Sequence, residues 1–405
     1  MRISTQQLFN RGLESMQDVT AQLQKTQLQL STGKKILTPA DDPVASTRIL
    51  ELNQELNINT QFQRNVELAE GSLSLQDDKL GSINDVIQRV RELMVTSGNG
   101  ALSKTDLSAI SAEVKERLEQ LAGMLNSQDA SGEYLFSGFQ GGTQPFQKSI
   151  SGSYEYKGDE GNRFVQVEPS VAIASTQNGK QIFQEVAVDK NSFYTKANPG
   201  NQANPPAAIT TGMVVDQEEY DAFYPNDMTI TFNGSNQYSI TDKSTGRQIL
   251  SNQPFAPNQP IVVNGVSVEI TGSPVAGDSF FIESTAKQGI LTTVEKFIYS
   301  LDNFVPNEEG RAILSANLES AIGNLDNAET SILEARSQLG ARMNTLQTTG
   351  EQLKDIEVLT KEILSKLESI DYAETVSLLS VQQFTLEAAY SSFSRITALN
   401  LFDRL

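Results

Sequence analysis

The stretch with the most chemical potential is residues 30–46, LSTGKKILTPADDPVAS, where a glycine–lysine pair is followed by two adjacent carboxylates. Ser31-Thr32-Gly33-Lys34-Lys35 has the outline of a phosphate-binding loop, in which backbone N–H groups and a lysine cradle a nucleotide. The match fails at both ends, because Leu28 stands where the first glycine is required and Lys35 where the magnesium-binding hydroxyl belongs. It also follows a helical pattern, whereas such a loop follows a strand. Asp41-Asp42 could offer oxygens to calcium, but the regular alternation of oxygen ligands in a calcium loop is missing. No carboxylate pair elsewhere has the spacing expected of a two-carboxylate hydrolase. The chain contains no His and no Cys. That excludes serine–histidine triads, cysteine nucleophiles, histidine zinc sites and disulfides. The expectation is a protein without catalytic, metal or cofactor sites, and not an enzyme.

Charge narrows the partners. With 31 Lys/Arg against 50 Asp/Glu the net charge is −19, which repels nucleic acid. Residues 1–50 are mildly basic and residues 370–405 mildly acidic, a weak complementarity between the two ends. The opening MRISTQQLFNRGLESMQDV lacks an apolar core of signal-peptide length, and no later segment has the length and apolarity of a membrane span. By ordinary export rules the expectation is a soluble intracellular protein with no membrane partner.

The elements that would position any site fall into three textures. Residues 1–32 predict a helix in which Phe9, Met16, Leu23 and Leu30 recur every seven residues, with Leu13 between the first two. Its alternate positions Thr20 and Gln27 are polar, so the stripe is thin and needs a partner. From 43 to about 96 the heptad is stronger, through Leu52, Val66, Leu73, Leu80, Ile87 and Met94. So long a run implies a coiled coil or long bundle. A third helix, carrying Leu107, Val114, Leu118 and Leu125, opens on Ser103 and Asp106 at capping-box spacing. Residues 150–286 read as β structure. Asn233-Gly234 and Asn264-Gly265 each sit between β-prone runs as hairpin signals, and ANPGNQANPPAA is an irregular loop. Tyr220, Phe223 and Tyr224 are expected to pack into the core of that insert. Helical periodicity then returns through Leu318, Leu325, Ile332, Leu339, Leu346 and Leu353. It continues in a shifted frame through Ile356, Ile363 and Ile370, and ends with Leu379, Leu386, Phe393 and Ile396.

The fold class is therefore mainly α with an inserted β domain. The chain folds back so that its ends pair as a terminal coiled coil beside a long helical bundle. Its divisions are 1–42 and 370–405 for the terminal coiled coil, 43–149 and 287–369 for the helical shell, and 150–286 for the β insert. Residues 30–46 then become a joint between two rods. Gly33 ends the first helix, Pro39 keeps the linker irregular, Asp42 and Pro43 cap and open the second, and Asp41 adds charge at its start.

The same stretch resembles the signature that follows the first helix in bacterial flagellins and flagellar hook-associated proteins. ARSQLGARMNTLQ and the closing LEAAYSSFSRITALNLFDRL are similar to the matching C-terminal signatures. SGEYLFSGFQGGTQPF, YEYKGDEGNRFVQV and ITGSPVAGDSFFI resemble the family member at the hook–filament junction more than flagellin, the bulk filament subunit and the nearest alternative. The resemblance implies a structural protein of the extracellular flagellum, exported by the flagellar type III apparatus, which replaces the intracellular expectation. It implies self-assembly into a junction ring or zone, with hook-associated protein 1 on the hook side and flagellin on the filament side. It also implies an export chaperone at the C-terminal segment. The assembly surface would be Phe9, Met16, Leu23, Leu30, Leu379, Leu386, Phe393, Ile396, Phe402 and Leu405, on terminal helices that order on assembly. An enzyme or a glycan-binding adhesin displayed on the insert has no positive sign in the sequence.

Overall fold

The computed structural model describes residues 5–150 and 152–402. Three helices come first, α1 (Thr5–Thr32), α2 (Pro43–Ser97) and α3 (Lys104–Leu125). A β-rich region follows, from β1 (Phe146–Lys148) and β2 (Tyr154–Tyr156) to β13 (Ser279–Gln288). The chain closes with α5 (Ile290–Asp302), α6 (Glu308–Glu368) and α7 (Tyr372–Phe402). Two compact units divide it, residues 1–64 with 348–405 and residues 65–347, and α2 and α6 contribute to both.

In the larger unit the heptad residues form the core. Leu73, Leu80, Ile87 and Met94 of α2 and Leu325, Ile332, Leu339 and Leu346 of α6 are all fully buried. Arg336 of α6 donates to both oxygens of Asp77 of α2, at 2.8 and 3.1 Å, and Arg91 meets Asp326. These pairs fix an antiparallel register. The α3 capping box forms as spaced: the Asp106 carboxylate accepts the Ser103 N–H at 2.9 Å and the Ser103 hydroxyl accepts the Asp106 N–H.

The insert builds a five-stranded antiparallel sheet from β5 (Val186–Ala197), β8 (Met228–Gly234), β9 (Gln237–Asp242), β10 (Gln248–Pro254) and β13, in the order β10-β9-β8-β13-β5. A smaller sheet joins β6 (Ala208–Ile209), β7 (Met213–Val214), β11 (Pro260–Val263) and β12 (Val266–Thr271). One apolar cluster unites the two, including Phe193, Phe232, Phe280, Val266 and Ile270. Tyr220 and Phe223, on α4 (Gln217–Phe223), belong to it and Tyr224 packs against it, as expected. Of the two Asn-Gly signals, Asn264-Gly265 makes the two-residue turn, with φ of +45° and +73°. The other does not. Gly234 pairs with Gln237 inside the ladder, and Ser235-Asn236 form the turn. That strand keeps its pairing one residue beyond Asn233, which instead donates from its side chain to Ser239 and Asn252.

The smaller unit contains α1, α7, the start of α2 and the end of α6. Here Asn59 of α2 donates to the Leu353 carbonyl at 2.9 Å, with both residues buried. The expected frame shift after Leu353 does not occur. Ile356 is exposed while Thr360 is buried, so the original seven-residue frame runs on through a polar residue.

Candidate functional site: the terminal helix pair and its joint

Helices α1 and α7 lie antiparallel, and the periodic residues face each other along them. Met16 is 7 % exposed, while Leu23 and Leu30 of α1 and Leu379, Leu386 and Phe393 of α7 are half-buried. The Phe9 and Phe393 rings meet at 4.9 Å between centroids, with Phe9 still 45 % exposed. Gly12 makes room for that contact, since a Cβ there would sit 3.3 Å from the Phe393 ring. Ile396 and Phe402 lie on α7 with side chains outside the described residues, and Leu405 lies outside them altogether.

The alternate positions of the α1 stripe are not those expected. Leu13 and Gln27 are exposed and Thr20 is half-buried, as are Gly12 and Val19, whereas Thr26 is buried, and Gly12 faces Phe393 of α7. An interval of three residues, in place of four, selects this face. The facing positions hold a glycine and a threonine, so the inward stripe is thinner than the leucine content suggests.

The periodic reading missed a second set of residues. Val376, Leu378, Val381, Phe384 and Tyr390 of α7 are exposed, Phe384 at 73 %. They spread around the helix away from the α1 stripe, so α7 is apolar on nearly every side. A helix apolar all round is ordinarily one buried on all sides. The signal was present in the sequence as the absence of a polar face, but a search for one stripe passes over it.

The joint is an ordered structure tied to the α6–α7 turn. Gly33 takes φ +69° at the end of α1, with its N–H on the Gln29 carbonyl at 2.9 Å. Lys34 bridges Ser369, the Lys35 N–H donates to the Glu368 carbonyl and the Ile370 N–H to the Gly33 carbonyl. Lys34 also pairs with Glu368 at 3.0 Å. Pro39 sits inside a turn closed by the Asp41 N–H on the Thr38 carbonyl. Asp42 caps α2, accepting from Val44 and Ala45, with Pro43 as the first helical residue. Asp371 caps α7 in the same way, through Ala373 and Glu374.

Asp41 has partners that the sequence did not indicate. Its carboxylate meets the Lys25 ammonium at 2.5 Å and accepts the N–H groups of Leu37 and Thr38 at 3.0 and 2.9 Å. The lysine first, and then the backbone donors, hold this carboxyl well below the ordinary range. The turn at 37–41 is close enough to α1 for that pairing, which helix-capping rules alone do not reveal. Among the described residues no group of three or more acidic side chains is placed to hold a metal ion. Among them, also, no helix is long and apolar enough to cross a membrane.

Comparison with known proteins places this arrangement. The bacterial flagellin N-terminal helical region matches residues 3–141, and the flagellin C-terminal helical region matches residues 322–405. The flagellar hook-associated protein 3 of Salmonella typhimurium is 24% identical over 403 residues, 100% of this chain and 99% of that relative. Hook-associated protein 3 of Legionella pneumophila superposes with a TM-score of 0.54 at 28% identity, over 79% of this chain and 98% of that one. A second solved structure, FlgL of Xanthomonas campestris, gives 0.52 at 27% identity, over 78% and 99%. Paired terminal helices, a capped joint and an inserted β region therefore mark a chain that belongs to the flagellin family of structural flagellar proteins and is homologous along its whole length to flagellar hook-associated protein 3.

Proposed function

We propose that this chain builds the junction zone between hook and filament of the bacterial flagellum, outside the cell, and that flagellin assembles on it. The observation that carries the mode of assembly is α7: it pairs with α1 along one stripe and leaves Val376, Val381, Phe384 and Tyr390 in water on the others. Covering a side chain of that size is worth about 1.5–3 kcal/mol, so neighbouring copies gain by packing α7 among themselves. The assembly surface is then Phe9, Met16, Leu23, Leu30, Leu379, Leu386, Phe393 and Ile396, with Phe402 and Leu405 at the end of the chain.

In this reading the divisions 1–42 and 370–405, 43–149 and 287–369, and 150–286 serve as inner coiled coil, shell and outer insert. Hook-associated protein 1 adjoins on the hook side and flagellin on the filament side. An export chaperone holds the C-terminal segment before type III export.

Deleting the gene in its host tests the role. Cells bearing hooks without filaments, and shedding flagellin, support it; normal filaments refute it. Complementing with Leu386→Asp plus Phe393→Asp tests the surface. The expected result is a folded insert and no restored filaments.

A further inference from the structure

Helix α5 carries a deep-set ammonium that no acidic group accompanies. Lys296 is half-buried as a residue, with its ammonium enclosed among protein atoms. It donates from Nζ to the Ser192 hydroxyl at 2.8 Å and to the Phe193 carbonyl, and stands 4.0 Å from the centre of the Phe193 ring. Each of these partners is a neutral dipole. Ser192 donates onward to Gln288 Oε1 at 2.7 Å, and Gln288 donates to the Thr293 hydroxyl at 2.9 Å. The adjacent Glu295 is no counter-ion, because its carboxylate is bound to the Tyr154 N–H. Burial alone, with no carboxylate acting against it, pushes the Lys296 amine down from 10.5 to about 7. A charge set so deep ordinarily has an opposite charge in contact.

Lys296 lines a cavity of about 50 Å³ where α5, β5 and α6 meet. A water needs roughly 10–15 Å³ of such space, so the cavity admits a small ion. Its charged wall residues are Lys190 and Lys296, and among the described residues no Asp or Glu lines it. Asn317, Ser320 and Asn324 of α6 add neutral polar groups. The acids nearby are engaged elsewhere. Glu319, exposed on α6, pairs with Lys190 at 2.8 Å, and Asp221 of α4 accepts from Asn191 and Gln217 at 2.9 Å each. Tyr220, the other titratable neighbour, donates to the Ser192 carbonyl. In a chain of net charge −19, a wall with two cations and no acid runs against the composition.

We propose that this cavity binds a small monovalent anion of the size of chloride, held by the Lys296 ammonium with Lys190 beside it. The charge of the wall selects the sign of the ion and the volume selects its size. The ion supplies the opposite charge that the fold withholds from Lys296, and so ties α5 to β5 and α6. It binds the protonated amine, so a neutral Lys296 takes up one proton as the ion enters. The sign of the pH dependence follows. Lys296 is charged below about 7 and neutral above it, so the ion stabilises the fold at pH 6 and loses its hold at pH 9. The site lies within the larger unit and does not rest on the junction reading.

Melting of the full-length chain tests this, in sodium chloride and in sodium gluconate at equal ionic strength. Gluconate carries the same charge and is too bulky for the cavity. At pH 6 chloride should raise the melting temperature over gluconate by about 2 °C or more, bromide should replace chloride, and at pH 9 the difference should vanish. Lys296→Met should abolish the difference at pH 6. Equal melting of the native chain in the two salts at pH 6 overturns the proposal. A chloride preference that persists undiminished at pH 9, or in Lys296→Met, places the ion elsewhere and overturns it too. Should that variant not fold, crystals of the native chain grown in sodium bromide at pH 6 decide. An anomalous scattering peak beside Lys296 supports the site, and a cavity without one refutes it.

Discussion

The Phe9 and Phe393 rings, at opposite ends of the chain, lie 4.9 Å apart at a tilt of 47°, and Gly12 clears the space beneath Phe393. Chain termini meet here through two aromatic rings and a missing side chain. The contact is therefore sensitive to volume at position 12. Gly12→Leu should separate α1 from α7 and abolish complementation of a deletion strain, scored by swimming. Gly12→Ala, whose added carbon sits 3.3 Å from the ring, should be tolerated with a small shift. Equal swimming of the leucine variant and the native chain would show that the pairing does not matter in the assembled state.

The joint makes a second test possible, at Gly33. Its φ of +69° suits glycine, and a Cβ would stand 3.0 Å from the Tyr372 hydroxyl. Gly33→Ala should cost about 1 kcal/mol, read as a lower denaturation midpoint of the terminal unit. Asp41→Asn acts elsewhere. By releasing Leu37 and Thr38 it should speed hydrogen exchange of those amides at least tenfold without moving the global midpoint.

Two consecutive residues of α5 set a pH dependence. The Glu295 carboxylate accepts the Tyr154 N–H at 2.8 Å and its other oxygen has no partner, with Glu119 and Lys148 the nearest charges. The Lys296 ammonium reaches the Ser192 hydroxyl and the Phe193 carbonyl at 2.8 and 2.5 Å, above the Phe193 ring, and Lys190 lines the same small cavity. Burial pushes Glu295 up from 4.5 to about 8 and Lys296 down from 10.5 to about 7. The folded state thus favours the neutral form of each. The Glu295 contribution is complete below pH 4.5 and is lost as pH rises through about 8. That of Lys296 is complete above pH 10.5 and is lost as pH falls through about 7. Glu295→Gln should remove on the order of 3 kcal/mol of the stability loss between pH 5 and 8, and Lys296→Met should flatten the profile between pH 10 and 7. Urea denaturation followed by tyrosine fluorescence measures both.

Packing along α6 should separate buried from exposed leucines of identical chemistry. Leu339 is fully buried, whereas Leu333 is 56 % exposed. Leu339→Ala should lower stability by about 3 kcal/mol, and Leu333→Ala by about 0.5 kcal/mol or less. Calorimetry of the purified chain distinguishes them. A large loss at Leu333 would contradict the orientation of α6.

What the sequence determined by itself was whatever depends on local rules. Seven-residue repetition placed the long helices, because a buried stripe must recur at the helical period. Ser103 with Asp106, Asn264-Gly265, and Asp42 with Pro43 fixed a helix start, a hairpin turn and a second helix start, since each satisfies backbone groups within a few residues. The absence of His and Cys removed whole classes of chemistry. Tertiary structure decided what depends on a distant neighbour. Thr26 is buried and Gln27 exposed because α7 lies on that side of α1. Thr360 keeps the frame that Ile356 seemed to shift, since burial there is set by position along α6 and Thr360 is buried while Ile356 is exposed. Asp41 turns to Lys25 because the folded linker carries it back beside α1, a proximity that helix-capping rules do not encode. The apolar surround of α7 belongs to both levels: its residues are plain in the chain, and their exposure became visible only once α1 was seen to cover a single stripe.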